Sequence, residues 1–155
     1  MLKRIKNFFV IYAEEVIKIG FDLTGINPTT NDGKYFRNNV WYWRRLWDLC
    51  GLCGKLTPTQ IQAGLTNDGY KIGKNAHDRI MNGLMKAYSE RGSDYWLDWI
   101  KKGDEEYTGT GIGKMWSTRR TMTGQDVPTP THPFSWENVK EFIKFLEGNE
   151  GFEVY

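Results

Sequence analysis

Apolar residues recur every three to four positions along two long stretches of this sequence, a pattern typical of helices that bury one face. The first stretch predicts a helix over residues 74–90. The second predicts a helix over residues 135–147, with Ser135 as its N-terminal cap and Gly148 at its end. The stripes of these two helices are Ala76, Ile80, Leu84 and Ala87, and Val139, Phe142, Ile143 and Leu146.

Shorter patterns predict further elements. Helical spacing also covers residues 37–49, 57–63 and 94–102, the last two capped by Thr57 and Ser93. Alternation between residues 18 and 26 predicts a strand, and residues 151–155 can close the chain as another. In the helix over residues 37–49, the spacing places Val40, Trp43, Trp47 and Cys50 on one face and Trp41, Arg44 and Arg45 on flanking faces.

The segment 102–133 shows neither period, because Gly, Thr and Pro dominate it. So long a segment inside a domain predicts a functional loop, an irregular β-ribbon or a mobile segment. Residues 1–20 are expected to form an N-terminal amphipathic helix extension, for which docking onto the domain is favoured over binding to a membrane surface. The predicted fold class is α+β: a mainly helical single domain over residues 21–155, with a small β-sheet.

Composition adds a charge pattern to this outline. Aromatic residues make up 15% of the 155 residues and include seven Trp, so large rings are expected to form much of the core. The net charge is only +2, but residues 34–55 carry five basic residues against one acid (+4), and residues 137–155 carry five acids against two lysines (−3). Such poles can pair within the molecule, between subunits of a homo-oligomer, or with separate partners.

Several classes of protein fit the sequence poorly. The apolar run at residues 8–13 is too short for a signal peptide, and no segment reaches the roughly 18 apolar residues of a membrane span, so the expected location is the cytoplasm. Cys50 and Cys53 are a single cysteine pair near a helix end, with no second pair to complete a metal site, and His77 and His132 are isolated in the sequence. No metal site, cofactor or catalytic set is therefore predicted. A metal or redox role for the two cysteines stays open, and an enzyme is the less favoured class.

The densest chemistry lies in residues 35–47, YFRNNVWYWRRLW, with six aromatics, three arginines and two amides. Rings beside guanidinium groups are typical of surfaces that hold bases and phosphates, although a helix packed over a small core has a similar composition. We expect Arg37, Arg44 and Arg45 to contact phosphates, Trp41 and Trp43 to stack on bases, and Asn38 or Asn39 to bind a base edge.

A second cationic stretch follows the glycines at positions 109, 111 and 113. It fails the phosphate-loop pattern, because Thr108 and Met115 stand where that pattern needs Gly and Ser or Thr. Glycine-rich backbone can still turn N–H groups towards an anion. The residues expected to join the ligand site from here are Lys114, Trp116, Arg119 and Arg120. An ordinary charged surface loop is about equally compatible with this stretch.

Three segments carry a resemblance: LTGINPTTNDGKYFRNNVWYWRRLW, TNDGYKI, and HPFSWENVKEFIKFLEGNEGFEVY. They resemble a family of small uncharacterised proteins of phages, prophages and bacteria, with a YFRNN-V-W-x-W-R block and an F-S-x-E-N-V-x-E-F helix. The resemblance covers about residues 21–90 and 131–155 and brings no activity. Relatives resemble zinc-ribbon proteins in their middle part, but this chain retains only Cys50 and Cys53 there.

The resemblance favours a small protein that acts by binding, either blocking a host protein or sequestering a nucleotide signal. The first hypothesis is a non-enzymatic binding protein for a nucleotide or a short oligonucleotide, linear or cyclic, that sequesters a nucleotide signal of host immunity. The alternative is a protein–protein interaction module that inhibits a host protein through its aromatic surface. A nucleotide-processing enzyme is the third hypothesis.

Overall fold

A four-stranded antiparallel sheet and the helices packed on one of its faces form the framework of the molecule. The computed structural model describes residues 20–107, 118–120, 126–128 and 132–155. The strands are β1 (Gly20–Gly25), β2 (Tyr35–Asn39), β3 (Tyr70–Ile72), β4 (Thr118–Arg120), β5 (Asp126–Pro128) and β6 (Phe152–Val154). The helices are α1 (Val40–Cys53), α2 (Pro58–Ala63), α3 (Lys74–Ser89), α4 (Asp94–Glu106) and α5 (Trp136–Glu147). The predicted α+β single domain, mainly helical with a small sheet, is confirmed.

The main sheet has the order β2-β1-β6-β3, so the first and last strands of the domain pair at its centre. Side chains alternate across it as the strand period requires. Phe21 and Leu23 of β1 point into the core, whereas Asp22 and Thr24 face outwards. The Asp22 carboxylate accepts hydrogen bonds from Arg37 at 2.8 Å and from the Tyr35 hydroxyl, so the outer face near β2 is polar and internally paired.

Strand β2 corrects one prediction, because residues 37–39 belong to the sheet and the helix begins only at Val40. The Asn39 side chain accepts a hydrogen bond from the Tyr42 backbone N–H at 2.9 Å and caps the helix. Before it, Phe36 packs on the core and Arg37 faces solvent, an alternation with the period of a strand. The short polar side chains of residues 38 and 39 thus mark a boundary between strand and helix.

The core is built from stacked rings, as the composition predicts. Trp43 and Trp47 are fully buried, and their rings stack with centroids 5.2 Å apart. The Trp43 indole N–H donates to the Gly64 carbonyl at 2.8 Å, and that of Trp47 donates to the Ile61 carbonyl at 2.9 Å. Burial of both large rings is therefore compatible with their polar N–H groups.

The other helices follow their sequence patterns closely. Thr57 and Gln60 form a complete capping box before α2, and Ser135 caps α5 through the Asn138 backbone N–H. Ser93 stands at the N-terminal cap of α4 without a side-chain capping bond. Helix α4 continues to Glu106, so the prediction that it ends at residue 102 was too short.

The segment 102–133 contains a β-ribbon, in which β4 and β5 pair antiparallel, with Arg119 opposite Val127. The predicted extension over residues 1–20 lies, except for Gly20, outside the described residues. Across the described ranges, none of the helices has both the length and the apolar character that crossing a bilayer requires.

The close packing of Gly64 against the stacked tryptophans gives a stability prediction. A Cβ at Gly64 would lie 2.1 Å from the Trp47 indole, so the Gly64→Ala substitution must displace a fully buried ring. We expect it to lower the free energy of unfolding by about 1–3 kcal/mol, measured by urea denaturation with tryptophan fluorescence. Gly92→Ala is the matched control, because nothing lies within 4 Å of a Cβ there. Equal stability of the two variants would contradict this packing.

Candidate functional site

The site is organised by Arg45, a buried arginine on α1 whose side chain is 1% exposed. Three aromatic rings surround its guanidinium carbon. The distances from that carbon to the ring centroids are 5.1 Å for Trp99, 5.6 Å for Phe134 and 5.7 Å for Tyr107. Rings at this distance stabilise a cation through their π faces, more strongly where water is excluded.

Oxygen acceptors complete the surroundings of this guanidinium. Arg45 Nη1 donates to Asp104 Oδ1 at 2.8 Å and to the His132 carbonyl at 3.4 Å, and Nη2 donates to the Ile100 carbonyl at 3.3 Å. The contacts join α1, the end of α4 and the chain leading into α5. A Cβ at Gly103 would lie 2.3 Å from Nη2, so a residue without a side chain is needed beside the guanidinium.

Next to this buried cation lies a half-exposed network centred on Tyr107. The Tyr107 hydroxyl accepts a hydrogen bond from Arg44 Nε at 3.0 Å and donates one to Asp48 Oδ2 at 2.8 Å. Arg44 Nε is also 3.7 Å from Asp48 Oδ1, one helical turn away. One tyrosine from the end of α4 thus bridges an ion pair on α1.

Two more rings extend the network. The His132 ring lies 4.7 Å from that of Tyr107 and 5.3 Å from that of Trp41, centroid to centroid. Trp41 is 39% exposed and stands three residues before Arg44, so the two side chains are neighbours on the helix surface. We call Trp41, Arg44, Asp48, Tyr107 and His132 the aromatic–arginine patch.

Burial changes the acid–base properties of the patch. It raises the pKa of the Asp48 carboxyl, outweighing the opposing hydrogen bond from Tyr107 and the charge of Arg44. Burial lowers the pKa of His132, and the charges of Arg44 and Arg45 add to this effect. His132 therefore presents a neutral ring at neutral pH. Burial and the hydrogen bond to Asp48 raise the pKa of the Tyr107 hydroxyl.

The structure does not bring all of the predicted ligand residues together. Trp43 is 0% exposed and offers no ring face to a base, and Arg45 is held in its cage. Asn38 is buried and donates to Asn138 Oδ1 at 2.9 Å, while the Asn39 side chain caps α1. Arg37 lies on the outer face of the sheet, paired with Asp22. These five residues lie in the core, at the start of α1 and on the outer face of the sheet, so they do not form one shared pocket as expected.

Of the predicted set, Trp41 is exposed and Arg44 half-exposed in the patch. Lys114 and Trp116 lie outside the described residues, and Arg119 and Arg120 belong to β4, whose side chains also lie outside. Their role stays a prediction. Tyr107 and His132 are the described residues that precede and follow segment 108–131, and both belong to the patch.

Sequence reasoning missed Asp48, Tyr107 and His132. Asp48 follows Arg44 by four residues, the spacing of a helical ion pair, and this pattern was available in the sequence. Tyr107 and His132 flank the Gly/Thr/Pro segment, and an aromatic residue at each end of a long loop is a pattern that can indicate where the loop is anchored.

Two other features, a surface groove and the cysteine pair, contain none of the predicted ligand residues. An open groove of about 510 Å³ lies between α3 and α5, lined by Met85, Tyr88, Lys140, Glu141, Ile143, Lys144 and Glu147. In the part of the chain that the structure describes, no three His, Cys, Asp or Glu side chains gather as metal ligands would. Cys50 is buried and Cys53 partly buried, both as free thiols.

Comparisons with protein-family models, with curated proteins and with solved structures find no match to this chain. The resemblance to the phage and prophage family therefore stays a prediction.

The rings and oxygen acceptors around Arg45 form a cage that fits a guanidinium, so we predict that lysine cannot replace this arginine without a loss of stability. Arg45→Lys keeps the charge, but one ammonium cannot replace a planar fork that reaches three acceptors on two elements. We expect a loss of about 1–3 kcal/mol in the free energy of unfolding, measured by urea denaturation. Arg44→Lys is the control, because Arg44 is 43% exposed, and equal effects of both variants would contradict the cage.

The two cysteines predict slow thiol chemistry. Burial raises the pKa of the Cys53 thiol to about 11, against 9.0 without perturbation, and raises that of Cys50 well above its ordinary value. A pKa higher by two makes the reactive thiolate about 100-fold scarcer. Because a thiolate of higher pKa is also the stronger nucleophile, we expect disulfide reagents at pH 8 to label the native protein about tenfold more slowly than the urea-unfolded protein. Rapid labelling, or one bound zinc per chain, would favour the redox or metal alternative.

Proposed function

We propose that this protein is a non-enzymatic binding protein for a nucleotide or a short oligonucleotide, linear or cyclic, held at the aromatic–arginine patch. The observation that carries the proposal is the pairing of an exposed indole, Trp41, with a half-exposed guanidinium three residues later on the same helix, Arg44. A base can stack on the first while a phosphate contacts the second. The neutral His132 ring beside Trp41 adds a further surface for a base.

Charge supports a contribution from segment 108–131. In and beneath the patch, Arg44 and Arg45 face Asp48 and Asp104, and Glu106 adds a further negative charge near Asp48. The sequence of segment 108–131 holds Lys114, Arg119 and Arg120 against Asp126, a net charge of 3 − 1 = +2. Since the residues that flank this segment, Tyr107 and His132, belong to the patch, its cations and Trp116 stay in the proposal as further phosphate and base contacts.

The proposed role is sequestration. The resemblance to phage and prophage proteins suggests that the bound nucleotide is a signal used in host immunity, which the protein removes by occupancy. A ligand that copurifies unchanged and absorbs near 260 nm would support this role. Turnover of the ligand by the purified protein would favour the nucleotide-processing enzyme instead.

A protein–protein interaction module is the second candidate, favoured by apolar side chains that stay exposed. Tyr95 and Leu97 on α4 are 61% and 54% exposed, and Leu52 on α1 is 46% exposed. Exposed aromatic and aliphatic groups are common anchors of protein interfaces. Capture of one stoichiometric host protein that survives nuclease treatment would support this candidate over the first.

The stacking role of Trp41 gives the test of the first candidate. Calorimetry against a panel of mononucleotides, dinucleotides and cyclic dinucleotides is expected to find a ligand that releases or absorbs heat. Trp41→Ala is then expected to weaken its binding by about 1–3 kcal/mol, since one base loses its stacking partner. No heat with any member of the panel, from protein shown to be folded, would contradict the proposal.

Tyr95→Ala is the matched control for Trp41→Ala. Tyr95 is also an exposed aromatic, but it lies twelve residues before Tyr107, roughly 18 Å along α4. We expect its removal to leave the affinity unchanged. Equal losses in the two variants would place the base elsewhere.

A further inference from the structure

We propose that the Asp48 carboxylate acts as an intramolecular competitor of the anionic ligand, occupying in the free protein the contacts that a phosphate takes when bound. The inference rests on the proposed function, because it concerns the regulation of the same site. It adds a residue that lowers affinity and a condition that restores it.

Asp48 places an oxyanion against two groups that also attract phosphate, with a hydrogen bond to one and an ion pair, longer than a hydrogen bond, to the other. One carboxylate oxygen accepts from the Tyr107 hydroxyl at 2.8 Å, and the other lies 3.7 Å from Arg44 Nε. Phosphate oxygens accept hydrogen bonds from the same two kinds of group, a hydroxyl and a guanidinium. A ligand anion that reaches Arg44 must therefore displace this carboxylate or lie beside its negative charge.

The carboxylate has room to leave. Its side chain is 31% exposed and stands one helical turn from Arg44, so a rotation about its side-chain bonds can carry it towards solvent. Arg44 keeps its bond to Tyr107 at 3.0 Å in that case, so the guanidinium stays aimed at the patch. Displacement thus exchanges one anion for another without rebuilding the site.

Protonation of Asp48 has the same effect as displacement, because a neutral carboxyl no longer competes for Arg44. Burial raises the pKa of Asp48, so this change begins at a higher pH than for an ordinary carboxyl group. Protonation of His132 adds a positive charge and favours anions in the same direction. The titratable and charged groups that act on Asp48 or feel its charge are Arg44, Arg45 and Cys50 from α1, and Glu106 and Tyr107 at the end of α4.

The experiment compares Asp48→Asn with the native protein, using sulfate as the first probe because its charge is constant from about pH 5 to pH 8. Binding is followed by NMR at the Arg44 Nε–H resonance. Asp48→Asn is expected to bind sulfate about tenfold more tightly at pH 7.5, since an opposing charge a few ångströms away is removed. The native protein is expected to approach the variant as the pH falls.

Asp98→Asn is the matched control, because Asp98 also forms an exposed ion pair four residues from its partner, Lys102. It removes the same charge from α4 and is expected to leave sulfate affinity unchanged. An equal gain in both variants would reduce the effect to net charge and overturn the inference. Unchanged or weaker sulfate binding in Asp48→Asn would also overturn it.

Cyclic AMP and cyclic di-AMP are the second probes, with phosphodiesters that keep their charge over the same range. Tighter binding of either to Asp48→Asn supports the competitor role at the nucleotide site. If sulfate behaves as expected while no nucleotide of the full panel binds either protein, the competitor stands and the proposed function fails. If a nucleotide binds both proteins equally, the function stands and the competitor fails.

Discussion

The arrangement of the candidate site depends on the burial of one guanidinium, that of Arg45. A buried cation is stable only when its donors and its charge are satisfied, and here Asp104, two backbone carbonyls and three ring faces do so together. These partners come from α4 and from the chain entering α5. The cation therefore fixes the end of α4 against α1, and with it the positions of Tyr107 and His132 beside Trp41 and Arg44.

This arrangement separates two uses of arginine that adjoin in sequence. Arg45 is buried and structural, with three hydrogen bonds to Asp104 and two backbone carbonyls, whereas Arg44 is shared between Tyr107 and Asp48 in a half-exposed network. A half-exposed guanidinium can exchange an internal carboxylate for an external phosphate, and a buried one cannot without unfolding its surroundings. The chemistry of the patch thus lies in Arg44, and its rigidity lies in Arg45.

Much of the fold could be predicted from local patterns, because caps and apolar stripes act within a few residues. Ser135, Thr57 and the stripe of α3 were sufficient for their helices. Helical spacing also placed Trp43, Trp47 and Cys50 on one face, and all three are buried, so a ligand role for Trp43 conflicted with its own period. Burial of Arg45 could not be predicted this way, since its partners lie 55 to 87 residues along the chain.

The central claim is that a base and a phosphate meet at the patch that Arg45 holds in place. The most direct measurement is an NMR titration with the nucleotide panel, following the Trp41 indole N–H and the Arg44 Nε–H, with Trp41→Phe used to assign the indole. The account predicts that both resonances shift together and saturate with one ligand. Saturable shifts confined to the groove between α3 and α5, with those two resonances unmoved, would contradict it.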